Sequence, residues 1–213
     1  MNIVRYGITG LLCEFESQVS EETNAKVAAL CQAVRDANVK GITELVPAYC
    51  SLLVQYDPLQ TSFEALEALL KGAAVDAEKA GEARQSRIVE IPVHYGGEYG
   101  PDLSFVAQHA GLTEAEVIRL HSSRDYRIYM IGFLPGFPYL GGLDERLYTP
   151  RLEVPRTRIP AGSVGIGGQQ TGIYPLESPG GWQLIGRTEL TLFDPARPPL
   201  YAAGDTIRFI PVG

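Results

Sequence analysis

With 213 residues, 45% of them hydrophobic and 20% charged, the chain has the apolar material for a sizeable core, which excludes an intrinsically disordered protein. A formal net charge of −7 argues against a surface built for general nucleic-acid or anionic-membrane binding, since both need clustered Lys and Arg. The length fits one large domain or two small ones.

The N-terminus, MNIVRYGITG, has neither the basic start nor the long apolar stretch of a signal peptide. No window approaches the roughly 18 apolar residues of a membrane span, so a soluble cytoplasmic protein is expected. NIVRY (2–6) and TGLLCEF (9–15) read as strands. Ser20 precedes EETNAKVAALCQAVRDAN, whose first-turn acids suit a helix N-terminus; Val27, Leu30, Cys31 and Val34 then form one buried stripe. ITELV (42–46) and SLLVQY (51–56) are two more strands, and Thr61 with Glu64 forms a capping-box pattern before a helix with Phe63, Leu66 and Leu70 on its inner face. The order ββαββα predicts a sheet covered on one side, an α+β sandwich of ferredoxin-like type. Cys13, Cys31 and Cys50 show no CxxC spacing and fall on apolar segments, which predicts buried free thiols in a reducing compartment.

DAEKAGEARQSR (76–87) reads as a helix end and linker. After the strand IVEIPVHY (88–95), Asp102 is a plausible N-cap for LSFVAQHAG, and Thr113 with Glu116 forms a capping box before VIRLH. From Tyr126 the pattern changes to short apolar runs between Gly, Pro and Asp turns: YRIYMI, SVGIG, TGIYPL, WQLIGR, LTLF and TIRFIPV. That pattern predicts an all-β barrel or sandwich. GFLPGFPYLGGL (132–143) is too rich in Gly and Pro for a helix or a central strand. It reads as an extended passage into the barrel half, with some of Phe133, Phe137 and Tyr139 in the core and at least one lining a cleft or facing a partner.

Neither a phosphate loop of GxxxxGK[ST] type, a GxSxG elbow nor an HExxH metal motif occurs. AGSVGIGGQQTG (161–172) leads into strands, so its glycines either let backbone N–H groups approach a ligand or simply make tight turns and bulges. In HYGGEYGPDL (94–103), His94 and Glu98 flank two glycines, which argues against a helical metal pair. The loop fits acid–base or polar-binding chemistry, or else a polar connection. His121 falls at a helix end, where a cationic imidazole suits the dipole or a catalytic role. Dispersed His and Cys do not make a zinc site. Arg156, Arg158 and Arg187 lie near Gly/Pro loops, where Arg either holds an oxyanion or is simply solvated.

Taken together, the run from GFLPGFPYLGGL through GSVGIGGQQTGIYPLESPGGWQLIGRT, with VPAYCSLLVQYDP (46–58) and IPVHYGGEYGPDL (91–103), resembles a known family. This is the family variously called the 5-oxoprolinase B subunit, the first allophanate hydrolase subunit or the sporulation-kinase inhibitor; the domain is also similar to part of the carboxyltransferase region of urea carboxylases. The resemblance implies an N-terminal α+β domain (1–82) and a C-terminal cyclophilin-like β-barrel (83–213), the boundary placed to within about ten residues. It implies work beside two further 5-oxoprolinase components, a larger C subunit and an A subunit, with ATP-dependent opening of 5-oxo-L-proline to L-glutamate. The B and C components would activate the lactam by phosphorylation, and the A component would hydrolyse the product.

On this resemblance His94, Glu98 and Asp102 are the catalytic candidates, with His94 as general acid/base. Phe137, Tyr139, Gln169, Thr171, Ser178 and Trp182 are the substrate or partner contacts, Gln169 and Thr171 by hydrogen bonds. ATP, with Mg, would be bound by the complex, no group would be covalently attached, and no metal site is expected on this chain. The alternatives are a regulatory protein that docks on a sensor histidine kinase, and one part of an enzyme that processes urea- or allophanate-type amides.

Overall fold

The computed structural model describes residues 1–16, 20–80 and 86–213, with backbone only for 75–80. The expected linker residues 81–85, and with them the boundary at 82/83, lie outside the described residues. Two compact units emerge, Met1–Gln85 and Ser86–Gly213.

In the first unit, β1 (Asn2–Tyr6), β2 (Gly10–Glu14), β3 (Ile42–Pro47) and β4 (Ser51–Tyr56) form an antiparallel sheet in the order β1-β2-β4-β3. Two helices, α1 (Glu21–Asp36) and α2 (Phe63–Ala80), share its core. Alternation sets the face: Leu52, Val54 and Tyr56 are buried while Ser51, Leu53 and Gln55 are half-buried. Across β4, Leu11 and Cys13 stand opposite Val54 and Leu52. Val27, Leu30, Cys31 and Val34 close the core from α1, as their spacing requires. Each fully buried Leu here is worth about 1.5–3 kcal/mol.

Ser20 caps α1, its hydroxyl accepting from the Thr23 amide at 3.1 Å. At α2 the cap is Ser62, which accepts from the Ala65 amide at 3.2 Å. The expected Thr61–Glu64 box does not form. The Thr61 amide is held by the Asp57 carbonyl, and Glu64 turns instead to Arg5 at 2.6 Å. Cys13 and Cys31 are buried free thiols, with burial pushing Cys13 up to about 12, but Cys50 is only half-buried.

The second unit is a closed barrel built from β5 (Ile88–Tyr95), β6 (Asp125–Ile131), β7 (Pro138–Leu140), β9 (Ser163–Gly167), β10 (Gln170–Ile173), β12 (Gln183–Arg187) and β13 (Thr206–Val212). The closed order is β10-β7-β6-β13-β5-β12-β9, with β5 and β13 parallel. A separate two-stranded ribbon pairs β8 (Arg156–Ile159) with β11 (Ser178–Gly180). Between β5 and β6, α3 (Leu103–Ala110) and α4 (Glu114–Ser122) add Leu103, Val106, Val117 and Leu120 to the barrel core. The Thr113–Glu116 capping box forms as expected, with both reciprocal bonds.

Two strand expectations change. Leu190–Phe193 is not a strand: the barrel closes without it, and Leu192 enters the core from an irregular segment. Conversely, GFLPGFPYLGGL contains one. Residues 132–137 form a hairpin loop, and Pro138 opens β7, where a missing donor costs least.

Candidate functional site

The loop after β5 is folded back along β12 by backbone bonds. Gly96 and Gly97 adopt φ of +70° and +52°, a reversal that an L side chain would strain. The Gly96 amide donates to the Ile185 carbonyl at 3.0 Å, and the Asp102 amide donates to the Leu184 carbonyl at 2.9 Å. A Cβ on Gly100 would collide with the Ile185 carbonyl, so only glycine fits between loop and strand.

Asp102 occupies the N-cap position of α3 yet makes no capping bond. Its carboxylate instead accepts from the Leu184 amide at 2.6 Å and from Arg156 at 2.7 Å. Arg156 also donates to the Trp182 carbonyl at 3.3 Å, joining loop, ribbon and β12. Asp102 is thus an anchor of this loop.

His94 stands directly opposite Arg187 in the β5–β12 register. Its ring stacks on Tyr99, with centroids 4.9 Å apart and planes at 27°. The Arg187 guanidinium lies 4.6 Å from the centre of the same Tyr99 ring. Imidazole, phenol and guanidinium therefore meet on one half-buried patch of the barrel wall, with Glu98 exposed in the adjoining loop.

A second cluster gathers the aromatic candidates. Phe137 is buried and meets Tyr139, Tyr174 and Trp182 edge-on at 5.2, 5.3 and 5.6 Å. The glycine-rich stretch explains itself here: a Cβ at Gly167 would come 2.5 Å from the Trp182 indole, and those at Gly165 and Gly172 would lie 3.2 and 3.1 Å from the Trp182 side chain. Those glycines make room for Trp182. Beside the cluster, Phe133 is 63% exposed and holds φ +67°, a left-handed conformation unusual for a bulky residue.

Of the remaining candidates, Gln169 is exposed in the turn between β9 and β10. Ser178 is buried, and its hydroxyl has no partner among the described residues. Thr171 is fully buried, donates to the Gly165 carbonyl at 3.1 Å, and meets His121 Nε2 at 2.8 Å. Because the Thr171 proton is already committed, His121 carries its own proton on Nε2, and Nδ1 accepts from the Tyr95 hydroxyl at 2.8 Å. Burial pushes His121 down to about 3. Of the two readings of His121 from sequence, the cationic helix-end imidazole gives way to a neutral core group.

Of the glycines in the 161–172 stretch, Gly165, Gly167 and Gly172 are taken up by the packing of Trp182, and no group of His, Cys, Asp or Glu suited to a metal occurs among the described residues. No described helix is long and apolar enough to cross a membrane.

A family model for the carboxyltransferase domain, subdomain C and D, matches residues 1–202. The chain is 46% identical to the 5-oxoprolinase B subunit of Escherichia coli O157:H7, over 96% of this chain and 93% of that one. It is 41% identical to the 5-oxoprolinase B subunit of Bacillus subtilis (strain 168), over 98% and 91% respectively. The crystal structure of TTHA0988 matches at a TM-score of 0.85 and 42% identity, covering 96% of this chain, which spans only 40% of that longer one. The K. lactis urea amidolyase shares the fold at 23% identity and a TM-score of 0.79. By the family model and by near full-length identity to these relatives, the chain belongs to the 5-oxoprolinase B-subunit family of carboxyltransferase-type domains.

Proposed function

We propose that this chain is the B subunit of a cytoplasmic, ATP-dependent 5-oxoprolinase, helping a C subunit activate 5-oxo-L-proline for ring opening to L-glutamate by an A subunit. The observation that carries this reading is 46% identity to a 5-oxoprolinase B subunit across nearly the full length of both chains. That relative's name also speaks for a multi-subunit assembly. In this reading the Met1–Gln85 unit is a ferredoxin-like sandwich whose last strand has moved to the front of the chain, and the barrel is cyclophilin-like.

A five-membered lactam is a stable amide, so coupling to ATP supplies the driving force for opening it. The nucleotide and Mg are assigned to the assembled complex rather than to this chain, which is inactive by itself. His94 takes the general acid/base role, because it sits on an accessible wall beside a cation and a phenol. Glu98 supplies a carboxylate from the adjoining loop, and Asp102 acts through the loop it anchors. Tyr139 and Gln169 meet substrate or partner directly. Phe137, Thr171, Ser178 and Trp182 are buried and act as packing and positioning residues.

Reconstituted with its partners, the wild-type chain is expected to support 5-oxo-L-proline-dependent ATP hydrolysis. The His94→Ala variant should lower that rate about a hundredfold or more. Full activity in the variant would remove the acid/base role.

A further inference from the structure

Several arginines of the barrel unit, among them Arg87, Arg124, Arg156 and Arg208, are held by carboxylates. Arg187 is not. Among the described residues it makes no ion pair and donates no hydrogen bond, although it is half-buried. Glu98, next to Tyr99 in the chain, and Glu189, two residues after Arg187, are both exposed, and neither forms an ion pair with it among the described residues.

A guanidinium carries five N–H donors in one plane, and at Arg187 these are left for solvent or a ligand to satisfy. The contact with Tyr99 places the guanidinium carbon over the phenol ring and uses none of the N–H donors in a hydrogen bond to a described residue. Beside it, the His94 imidazole and the Tyr99 hydroxyl also have no hydrogen-bond partner in the protein among the described residues. Three polar groups of different kinds thus share one patch, unsatisfied by the protein itself. A planar carboxylate matches the guanidinium fork in a bidentate pair, and the neighbouring imidazole then faces whatever the acid carries.

We propose that Arg187, flanked by Tyr99 and His94, is a carboxylate seat for a small organic acid. The identification of that acid as 5-oxo-L-proline rests on the oxoprolinase reading; the seat itself does not. With the ring carboxylate held at Arg187, the lactam amide lies within the neighbourhood of His94, so one patch both binds and positions the substrate.

The test is an NMR titration of the His94 ring signals of the intact chain, assigned by loss in His94→Gln. The probes are 5-oxo-L-proline, cyclopentanecarboxylate (the same ring size without the amide) and inorganic phosphate. Saturable shifts with both carboxylates are expected, weakened roughly tenfold or more in Arg187→Gln, as the loss of a charged hydrogen-bonding partner predicts. Arg187→Gln should keep the wild-type melting temperature, which separates a binding loss from unfolding. The seat is overturned if no carboxylate shifts His94 saturably, if the shifts are unchanged in Arg187→Gln, or if phosphate alone saturates. Saturation by cyclopentanecarboxylate but not by 5-oxo-L-proline would uphold the seat and count against the oxoprolinase reading.

Discussion

The imidazole of His121 donates from Nε2 to Thr171 and accepts at Nδ1 from Tyr95, so an added proton at Nδ1 meets another donor's oxygen in a fully buried site. Burial has pushed its pKa to about 3, far below the ordinary imidazole value. A folded-state pKa below the unfolded one stabilises the protein above the unfolded value, and that stability is lost as pH falls toward the folded one. Stability should therefore decline from about pH 6.5 downward, by about 2 kcal/mol between pH 7.5 and pH 5. Urea unfolding at the two pH values measures it, and His121→Gln should flatten the slope by about one proton. Equal slopes in the two proteins would contradict this assignment. The role of this residue is not legible in the chain. A histidine at a helix C-terminus reads as a dipole partner, and only the barrel closure brings Tyr95 and Thr171 to it. Asp102 departs from expectation for a related reason: its cap position is local, whereas the Arg156 and Leu184 partners that claim its carboxylate are distant.

The glycines of β9 and β10 act as a bed for Trp182, which links a compositional oddity to a packing requirement. Gly167→Ala would place a methyl 2.5 Å from the indole, against a ring already wedged by Phe137 and Tyr174. Overpacking of this kind costs about 1–3 kcal/mol, and chemical denaturation should show the loss. A variant as stable as the wild type would mean that Trp182 can move freely. Elements with strong local signals are readable from sequence: the α1 stripe, the Thr113–Glu116 capping box, and the strands β4, β5 and β13. Those set by non-local pairing are not. Leu190–Phe193 has strand composition but no partner to pair with, while Pro138–Leu140 is a strand despite its proline because β6 and β10 flank it. Within the hairpin between β6 and β7, buried Phe137 and exposed Phe133 divide the aromatics between two tasks: one supports the Trp182 cluster and the other is displayed.

Two independently cored units, one sheet with two helices and one closed barrel, give this chain its architecture. The broad division is legible from the change in pattern along the chain, since an αβ rhythm gives way to short β runs. The resemblance carried by the Gly/Pro-rich barrel segments agrees with the family match over residues 1–202. Candidate residues are easier to locate from sequence than to assign roles. His94 and Trp182 lie in the two clusters described, but Arg187 gains its place beside His94 only through the β5–β12 register. In the proposed B-subunit role, the chain should be necessary for turnover without being sufficient for it. The direct measurement is formation of ADP and L-glutamate from ATP and 5-oxo-L-proline by the partner proteins, with this chain first omitted and then restored. Both products should appear only when the chain is present, and urea should not replace 5-oxo-L-proline. Full turnover without the chain, or none after it is restored, would contradict the account.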